Sequence, residues 1–426
     1  MKKIIRKIVP KALINCYHFG LSFLGAIIYF FPSRRMKIIG VTGTNGKSTV
    51  VYLLSKILEE AGFNVASVSS IKFKIKEKEW QNNLKMTMPG RFKLQKFLRQ
   101  ALDQGCQYAV IEVTSEGILQ SRHRFIDFDA VIFTNLTPEH IETHGSFEKY
   151  REAKGKLFRS LRNSKKTKKT SIINLDDPNS EYFLKFEAER KIGYGLDSQP
   201  SDKISNFLKA TKIESSEHGL KFYLSDVRFN LKLKGIFNIY NALSAIGAAL
   251  SQGIDLETCK SALEKISEVP GRMQEIIKSP FLVVVDYAHT PDALLKAYSA
   301  LPKESFKICV LGSCGGGRDK WKRPKLGEIA SQFCNQIILT NEDPYDDNPT
   351  QIIKEVASGI KKQSVEIREI LERREAIKQA LISAKNGSTV IITGKGSEPW
   401  MCVAGGKKIP WNDGEIVKEE FKKINN

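Results

Sequence analysis

The sequence lacks the cysteine patterns that mark zinc sites and disulfide-stabilised domains. Its 426 residues include seven cysteines, an odd number, and no two of them form a Cys-x-x-Cys pair. They are scattered along the chain, at Cys16, Cys106, Cys259, Cys309, Cys314, Cys334 and Cys402. Zinc sites and disulfide frameworks both need cysteines at short, regular spacings. The scatter therefore predicts reduced thiols and a catalytic body in the cytoplasm.

Internal repeats and low-complexity tracts are also absent, and acidic residues are outnumbered. Hydrophobic residues make up 41% and charged residues 27% of the sequence, which excludes a disordered tail or a collagen-like chain. At roughly 150 residues per domain, the length predicts two or three domains. Lysine and arginine number 67 against 47 aspartates and glutamates, so the net charge is +20. Such a chain is expected to meet an anionic partner: nucleic acid, a membrane surface or a polyphosphate substrate.

Charged residues are missing altogether from residues 12–31 (ALINCYHFGLSFLGAIIYFF). This run is about long enough for one membrane span, although Asn15, His18 and Ser22 interrupt it. Basic residues flank it on both sides, at Lys2, Lys3, Arg6, Lys7, Lys11, Arg34, Arg35 and Lys37. A span that kept the rest of the chain in the cytoplasm would leave the first five outside, against the positive-inside tendency.

Two interpretations of residues 1–35 stay open. An interfacial or re-entrant segment would keep both basic flanks at the inner face of the membrane. The alternative is an apolar helix pair that covers a patch on the protein's own body. A cleaved signal peptide is not expected, because a nucleotide-binding motif follows at once and no small-residue cleavage site is evident.

From residue 36 onwards, short apolar runs typical of buried strands alternate with runs that have helical spacing. Strands are predicted at 36–41, 108–113, 130–134 and 171–175, and helices at 49–61, 92–104, 147–161 and 238–252. This alternation predicts an α/β fold with a mostly parallel sheet, to which residues 222–233 add antiparallel strands.

A natural break at Pro270-Gly271 precedes a second series of predicted strands, at 281–285, 306–311, 336–340 and 389–393. We therefore expect three parts. They are a hydrophobic N-terminal segment (1–35), a central P-loop ATPase-like domain (36–270) and a C-terminal Rossmann-like α/β domain (271–426).

Residues 40–49 (GVTGTNGKST) lie between a predicted strand and a predicted helix. Gly43 and Gly46 would let backbone N–H groups turn toward a phosphate, at a helix N-terminus whose dipole favours anions. Lys47 can reach the β- and γ-phosphates, and Ser48 can ligate Mg²⁺. Val41 stands where the strict GxxxxGK[ST] spacing has glycine, so this is a variant of the P-loop.

Other polar residues follow predicted strands, at the edge where ligands gather in open parallel sheets. Glu112 ends one strand and is a natural Mg²⁺ ligand beside the P-loop. His140 and His144 follow another strand, where an imidazole could bind a metal or orient a phosphate. Asp286 ends a strand of the second domain and could bind a ribose hydroxyl. Residues 312–323 (GSCGGGRDKWKR) combine glycines with cations, which suits a phosphate or a carboxylate.

Nine segments together resemble the Mur ligase family, whose members use ATP to add amino acids to the UDP-N-acetylmuramoyl peptide precursor of peptidoglycan. They are GVTGTNGKST, EVTSEG, FTNLTPEHIETHG, YREAK, GIFNIYNALSA, VPGRMQ, VVDYAHTPDAL, GGGRDKWKRP and GKGSE, in the family's order across residues 36–413. The similarity is closest to the MurE type, which adds the third residue of the stem peptide. The resemblance implies that a substrate carboxylate attacks the γ-phosphate of ATP. The amino group of the added residue then attacks the resulting acyl phosphate.

The resemblance also implies roles for individual residues. The nucleotide would be bound by Gly43, Thr44, Asn45, Gly46, Lys47, Ser48, Thr49, Asn135, Asn238, Arg272 and Asp286. Two Mg²⁺ would be held by Ser48, Glu112, His140 and Lys154, with Lys154 converted by CO₂ to a carbamate. The catalytic residues would be Lys47, Glu112, His140 and Lys154. The precursor would contact Thr87, Pro89, Ser115 and Arg122, and the incoming amino acid would contact Arg318, Asp343, Gly394 and Glu398.

The sequence departs from the family's pattern at three places, one of which is Ser397 in the GKGSE segment, where the family usually has histidine. The P-loop begins near residue 43, so the hydrophobic segment is expected to replace the family's UDP-binding first domain. Tyr345 stands where diaminopimelate-adding members have the arginine of an Asp-Asn-Pro-Arg motif, and acidic residues surround it. A side-chain amine suits such a pocket better than a carboxylate, so we expect L-lysine to be preferred to meso-diaminopimelate.

Two alternatives to this function stay open. One is a related ATP-dependent amide ligase of the folylpolyglutamate or cyanophycin synthetase type. The other is a membrane-tethered P-loop NTPase that acts as a regulator without ligase chemistry. We expect a monomer with no nucleic-acid partner, because the basic residues are dispersed and no recognition motif is present.

Overall fold

The computed structural model describes residues 10–84, 86–361 and 364–425. Within these ranges the chain folds around one sheet of eleven strands and one of six, with a separate pair of short strands. Helices pack on both faces of each large sheet. The predicted α/β fold of both halves of the chain is confirmed.

The first sheet is mostly parallel. Its strands are β1 (Lys37–Thr42), β2 (Val65–Val68), β3 (Lys72–Ile75), β4 (Lys78–Gln81), β5 (Tyr108–Glu112), β6 (Ala130–Phe133), β7 (Thr170–Asn174), β8 (Arg190–Gly195), β9 (Asn206–Ser216), β10 (Gly219–Leu224) and β11 (Val227–Leu231). They lie in the order β11-β10-β9-β8-β7-β6-β1-β5-β2-β3-β4. The run from β9 to β2 is parallel, and antiparallel strands extend it at both ends. Strands β5 and β6 are buried along their whole length, which explains their continuous apolar sequences.

The second sheet has the order β12-β13-β17-β14-β15-β16. Its strands are β12 (Gln274–Ile277), β13 (Leu282–Asp286), β14 (Lys307–Leu311), β15 (Gln336–Leu339), β16 (Glu366–Glu369) and β17 (Thr389–Thr393). Strands β18 (Trp400–Cys402) and β19 (Lys408–Pro410) form the separate pair. Only β12 runs antiparallel in the six-stranded sheet, so the carboxyl ends of the other five strands share one edge.

The helices of the described residues cover these sheets in layers. They are α1 (Lys11–Ile28), α2 (Lys47–Glu60), α3 (Arg91–Asp103), α4 (Ser115–Leu119), α5 (Ile141–His144), α6 (Phe147–Arg162), α7 (Ser180–Leu184), α8 (Phe237–Ser251), α9 (Leu256–Lys265), α10 (Pro291–Ser299), α11 (Lys322–Phe333), α12 (Pro349–Ala357), α13 (Arg373–Ser383) and α14 (Asp413–Asn425). Helices α2, α8 and α9 pack on one face of the first sheet, and α3 and α6 pack on the other. Helices α10 to α12 cover one face of the second sheet, and α13 and α14 cover the other.

The predicted strands and helices in both halves form within one or two residues of the expected bounds. The predicted break at Pro270-Gly271 falls between α9 and β12. The division into three parts at residues 35 and 270 stays a prediction.

The prediction of reduced thiols is wrong for two of the seven cysteines. Cys309, in the middle of β14, forms a disulfide with Cys334, which follows α11 directly. Because β15 pairs beside β14, the residue that leads into β15 is brought next to the middle of β14. Cys16, Cys106, Cys259, Cys314 and Cys402 are free.

The described part of the hydrophobic N-terminal segment forms helix α1, which is followed by a 3₁₀ turn at Pro32–Arg35. Helix α1 lies along α3, and the Ser22 hydroxyl donates to the Ser121 carbonyl at 2.8 Å. The inner face of α1 therefore packs on the protein's own body. No helix in the described ranges is both long and apolar enough to cross a membrane. Lys2, Lys3, Arg6 and Lys7 of the predicted basic flank lie outside the described residues.

Candidate active site

The predicted phosphate-binding loop connects β1 to α2. Gly46, the residue before α2, has a φ of 84°, and a Cβ there would collide with the amide oxygen of Asn241. A Cβ at Gly43 would collide with the Thr134 hydroxyl. Val41 is a buried residue of β1, so the position that carries glycine in the strict motif belongs here to the strand. The loop is therefore confined by its neighbours to a shape that only glycine allows at two positions.

Lys47 and Ser48 begin α2 and face Glu112 at the end of β5. The Ser48 hydroxyl donates to Glu112 Oε2 at 2.7 Å, and Lys47 Nζ lies 3.9 Å from Glu112 Oε1. The register of β1 and β5, which pairs Val41 with Glu112, sets this proximity. Burial is the main cause that lowers the pKa of Lys47. A hydroxyl, a carboxylate and an ammonium group thus converge beside the loop.

Arg272, from the segment that leads into β12, reaches the same place. Its guanidinium lies 3.2 Å from the Ser70 hydroxyl and 3.5 Å from Ser48 Oγ, and stacks 4.4 Å from the ring centroid of Tyr287. The second half of the chain therefore supplies a cation to the site that the first half builds.

Lys154 lies on α6 and points back to the loop. Its Nζ donates to the Gly43 carbonyl at 2.6 Å and lies 4.5 Å from the ring centroid of Tyr150. The residue is 1% exposed. This burial, and secondarily the charge of Lys47, lowers the pKa of Lys154 well below its ordinary value. A buried lysine whose pKa is lowered gives up its proton more readily, and its amine can then act as a nucleophile toward CO₂.

His140 precedes α5 in the left-handed backbone conformation, with a φ of 58°, which is unusual for a residue with a side chain. Its Nδ1 lies 3.3 Å from an Arg318 nitrogen and 3.9 Å from Glu116. Burial, and then the Arg318 charge, lowers the pKa of His140, so the imidazole is neutral and able to ligate a metal. His144, whose pKa burial lowers to about 4, instead shares a hydrogen bond with the Ser115 hydroxyl at 3.1 Å.

The donor set suits Mg²⁺, which takes oxygen ligands and keeps water and phosphate oxygens in its coordination. Ser48 Oγ and Glu112 Oε2 are already within 2.7 Å of each other. In the described part of the chain, no three His, Cys, Asp or Glu residues come close enough to hold a metal ion unaided. A metal here would therefore depend on ligands beyond those four residue types.

Of the predicted nucleotide residues, Asn135 and Asp286 line the cavity, whereas Asn238 does not. Asn135 brackets the loop, accepting from the Asn45 N–H at 2.9 Å and donating to the Asn45 carbonyl at 3.0 Å. Asp286 is buried, and its two oxygens accept from the Met273 and Ala288 N–H groups at 2.7 Å each. Burial raises the pKa of Asp286. This carboxylate therefore fixes the turn after β13 as well as facing the cavity.

Asn238 lies behind the loop. It donates to the Lys234 carbonyl at 2.7 Å and accepts from Asn241 at 2.9 Å. Asn241, which the sequence did not single out, lines the cavity in its place.

The predicted precursor residues surround a loop between β4 and α3. Thr87 and Ser115 line the cavity, whereas Pro89 and Arg122 do not. The Arg122 guanidinium binds the Met88 carbonyl and donates to Gln120 Oε1 at 2.7 Å. Burial lowers the pKa of Arg122 to about 10.

The predicted acceptor residues meet at the carboxyl edge of the second sheet. Lys395 Nζ, which is fully buried, donates to both Asp343 oxygens at 2.9 Å and to Glu398 at 2.5 Å. Glu398 also accepts from the Tyr287 hydroxyl at 2.8 Å. Lys395 was missed because a lysine in a Gly-Lys-Gly sequence carries no signal of burial. Its network fixes two of the four predicted acceptor residues.

Glu342 is the second acceptor-side residue that the sequence did not identify. It accepts from the Cys314 thiol at 3.0 Å, and its other oxygen is buried without a partner against Gly394. Burial raises its pKa. The absence of a side chain at Gly394, whose φ is 109°, makes room for this carboxylate.

The two halves of the chain are held together around the site. Lys322 donates to Glu139 at 2.9 Å, with both side chains almost fully buried. Asp319 accepts from the N–H groups of Ile141 and Glu142 at 3.1 and 3.0 Å and so caps α5. These contacts place the acceptor edge of the second sheet over His140.

One cavity of about 1290 Å³ joins these groups. Its lining includes the P-loop, Glu112, Asn135, His140, Lys154, Arg272, Asp286, Thr87, Ser115, Arg318, Asp343, Gly394 and Glu398. Phosphate-binding, cation-binding and acceptor groups that lie far apart in the sequence therefore share one cavity.

Comparison with known proteins gives two family matches. The Mur ligase middle domain matches residues 41–249, and the Mur ligase glutamate ligase domain matches residues 271–396. A UDP-N-acetylmuramoyl-L-alanyl-D-glutamate–2,6-diaminopimelate ligase of Clostridium acetobutylicum is 38% identical over 98% of this chain and 86% of its own length. A UDP-N-acetylmuramyl-tripeptide synthetase of Roseiflexus sp. is 37% identical over 98% of this chain and 84% of its own.

A solved structure of a UDP-N-acetylmuramoyl-L-alanyl-D-glutamate–2,6-diaminopimelate ligase has the same fold. Its TM-score is 0.62 at 30% identity, over 92% of this chain and 79% of the solved one.

Proposed function

The chain belongs to the Mur ligase family, and from this premise we propose that it is an ATP-dependent, ADP-forming ligase of the MurE type. It would add the third amino acid to UDP-N-acetylmuramoyl-L-Ala-D-Glu in peptidoglycan synthesis. The observation that carries the proposal is the single cavity, in which the P-loop, the buried Lys154 and the acceptor pocket face one another. The relatives that resemble the chain along nearly its whole length are named as such ligases. They favour this function over the folylpolyglutamate and cyanophycin types.

The chain's own residues would act by position and charge. The loop N–H groups, Lys47 and Arg272 would bind the ATP phosphates and stabilise charge that shifts to the leaving phosphate. The precursor carboxylate attacks the γ-phosphorus and ADP leaves. The amine bound near Arg318 then attacks the acyl carbon, and phosphate leaves as the amide forms. Holding both substrates in one cavity supplies the orientation on which these two steps depend.

Two Mg²⁺ ions fit the ligand chemistry that we propose. Ser48, Glu112 and His140 would hold them, together with Lys154 once its neutral amine has reacted with CO₂. Carbamate formation would turn a buried cation-forming group into an anionic oxygen donor, which explains why a lysine is buried beside a phosphate site. The bound ions would neutralise charge on the phosphates.

For the acceptor, we propose a diamino acid, with L-lysine preferred to meso-diaminopimelate. The relative from Clostridium acetobutylicum is named as a diaminopimelate ligase. In this pocket, however, Lys395 is bound by two carboxylates, and Arg318 lies 4.0 Å from Glu116. A second carboxylate on the acceptor would meet Tyr345 at the position where the family's diaminopimelate enzymes have arginine. Lys408 on β19, which donates to the Asn83 carbonyl at 3.2 Å, is one cation that lines the cavity on this side.

The reaction would take place in the cytoplasm, where ATP and nucleotide-linked precursors occur. How the UDP moiety is bound is the open part of the proposal. The assay should therefore offer the muramoyl dipeptide both on UDP and on a lipid carrier.

The test is a ligation assay with purified protein, ATP, Mg²⁺, the precursor and single amino acids, followed by ADP release and mass spectrometry. ADP release should need both the precursor and the amino acid. Lys47→Ala and Lys154→Ala should each lower turnover at least about a hundredfold, because each removes a group at the reacting phosphate. Lys156→Ala, which changes an exposed lysine of the same helix α6, is the matched control and should keep full turnover.

Two results would contradict the proposal. Undiminished ligation by both Lys47→Ala and Lys154→Ala would show that the active site has been assigned to the wrong residues. A rate of ATP hydrolysis that does not depend on the precursor or the amino acid would support a regulatory NTPase instead.

A further inference from the structure

A helix on a water-facing surface normally buries its large apolar side chains and exposes its polar ones. Helix α1 has the opposite arrangement. Its inner face carries small or polar residues, including Ser22 and Ala26, which are 2% and 0% exposed. Tyr17 and Leu13 on its outer face are 62% and 60% exposed, and Phe30, just after the helix, is 76% exposed.

The exposed apolar residues are concentrated in this segment. Eight of the nineteen large apolar side chains that are exposed in the described residues lie between positions 13 and 30: Leu13, Tyr17, Phe19, Phe23, Leu24, Ile27, Ile28 and Phe30. Single exposed apolar residues are ordinary, but a contiguous patch of this kind marks an interaction surface.

The charged residues in this segment of the sequence are all of one sign. No aspartate or glutamate occurs in the first 58 residues of the sequence, whereas residues 1–37 contain eight lysines and arginines. Arg34, Arg35 and Lys37 are exposed directly after the apolar run. The Arg34 guanidinium lies 4.0 Å from the ring centroid of Phe31, and its Nε donates to Asp127 Oδ2 at 3.3 Å.

We propose that the outer face of α1, with its basic flanks, binds the surface of an anionic lipid bilayer. Apolar side chains would enter the boundary between headgroups and acyl chains, and the cations would meet anionic headgroups. The helix would lie in the membrane plane, because Ser22 and Gly25 hold its inner face against Ser121 and Phe92.

A second copy of this chain fits the same face poorly. A symmetric pair would place the acid-free basic segments of both copies side by side, and like charges across an interface are repulsive. The helix is also held to the segment that follows α4, since Arg91 donates to the Gln120 carbonyl at 3.1 Å and interacts with His18 of α1. The proposal does not rest on the ligase function: vesicle binding can be measured without ATP or precursor.

The experiment is flotation of the full-length protein with vesicles of phosphatidylcholine alone and with about a third phosphatidylglycerol. Binding should need the anionic lipid and weaken with salt. The triple variant Tyr17→Ser, Phe23→Ser, Ile28→Ser should lower vesicle affinity at least roughly tenfold. The matched control replaces three exposed apolar residues elsewhere, Phe306→Ser, Leu371→Ser and Ile382→Ser, and should bind like the wild type.

A charge pair and a local probe complete the test. Arg34→Gln with Arg35→Gln should weaken binding roughly tenfold, whereas Lys185→Gln with Lys232→Gln, also exposed, should not. A polarity-sensitive fluorophore on exposed Cys16 should shift to the blue with anionic vesicles, and Cys16→Ser corrects for label on other thiols.

Three results would overturn the proposal. They are absence of binding to anionic vesicles at low salt, an equal loss in the control triple variant, and a stable dimer in sedimentation that the α1 triple variant dissociates. The last would assign the face to a second copy of the chain.

Discussion

Replacing Lys322 with methionine should open the two halves of the protein without unfolding either. Lys322 and Glu139 form an ion pair at 2.9 Å, and their side chains are 2% and 3% exposed. Glu139 belongs to the segment that carries His140, and Lys322 begins α11 beside the acceptor pocket. The second Glu139 oxygen is buried with no hydrogen-bond partner, so the lysine is the main compensation for this carboxylate.

The size of the effect follows from the burial. Removing one partner of a buried ion pair leaves an uncompensated charge and costs about 3–5 kcal/mol. Glu139 can avoid this cost by separating the two halves and becoming hydrated. About 1.4 kcal/mol corresponds to a factor of ten in an equilibrium constant, so the ratio of closed to open protein should fall roughly a hundredfold or more.

The assay is steady-state ligation, with ATP binding measured separately. Lys322→Met should raise the KM for the acceptor and lower kcat, because Arg318 no longer lies over His140. ATP affinity should change far less, because most P-loop contacts lie within the first half. Lys320→Met, an exposed neighbour, is the control. The double variant Glu139→Leu, Lys322→Met should recover much of the loss, since it leaves no buried charge. Wild-type kcat and KM in Lys322→Met would refute the reasoning.

Three further predictions follow from single positions. Gly46→Ala should weaken ATP binding at least roughly tenfold, because φ is 84° and the Asn241 amide blocks a Cβ; Gly62→Ala, with a φ of 83° and open space around it, should keep ATP affinity, as calorimetry can check. Burial lowers the pKa of His123 to about 3 in the folded protein, below its unfolded value of roughly 6.5. The unfolded chain therefore takes up the proton first, and stability should fall as pH drops from 6.5 toward 3, by about 2 kcal/mol at pH 5; urea titrations of His123→Phe should show a flatter profile, and an unchanged slope would contradict this. Tyr345→Arg should shift the turnover ratio toward meso-diaminopimelate, whereas Tyr345→Phe should leave it unchanged; equal ratios in all three proteins would exclude this position as a determinant.

The parts of the fold that the sequence predicted are those whose signal is local. Continuous apolar runs identified strands such as β5 and β6, because a strand covered by helices on both faces has no polar side. Strands β3 (KFKI) and β4 (KEWQ) escaped prediction, since at least half of the residues in each are charged or polar. They are the last two strands at one end of the sheet, where pairing with neighbouring strands and not the local sequence decides the structure.

The candidate site divides in the same way. The P-loop has its own spacing, but Lys154 on α6 resembles any solvated lysine until packing buries it 2.6 Å from the Gly43 carbonyl. Only the family resemblance pointed to it. Glu342 had no signal of either kind, and Lys395 and Asn241 lie in segments that carry the family resemblance but were assigned no role by it, because their positions in the site come from the meeting of elements far apart in the sequence. The Cys309–Cys334 pair was missed for the same reason.

The charge of the site has a consequence for how it is filled. Lys47 is buried beside Glu112, and the Arg272 charge opposes its protonation. Lys154 is more deeply buried, and the charge of Lys47 opposes the protonation of Lys154. Two kinds of anion relieve this repulsion. Phosphates at the loop would stabilise the charged form of Lys47, whereas a carbamate would remove the positive charge of Lys154 altogether. Because the carbamate and the phosphates are both anionic, they should reinforce each other only through Mg²⁺: with Mg²⁺ present, ATP should bind more tightly when CO₂ is present, and this coupling should vanish in Lys154→Ala. Equal ATP affinity of the wild type with and without bicarbonate would contradict this prediction, because it would show that ATP binding and carbamate formation are independent.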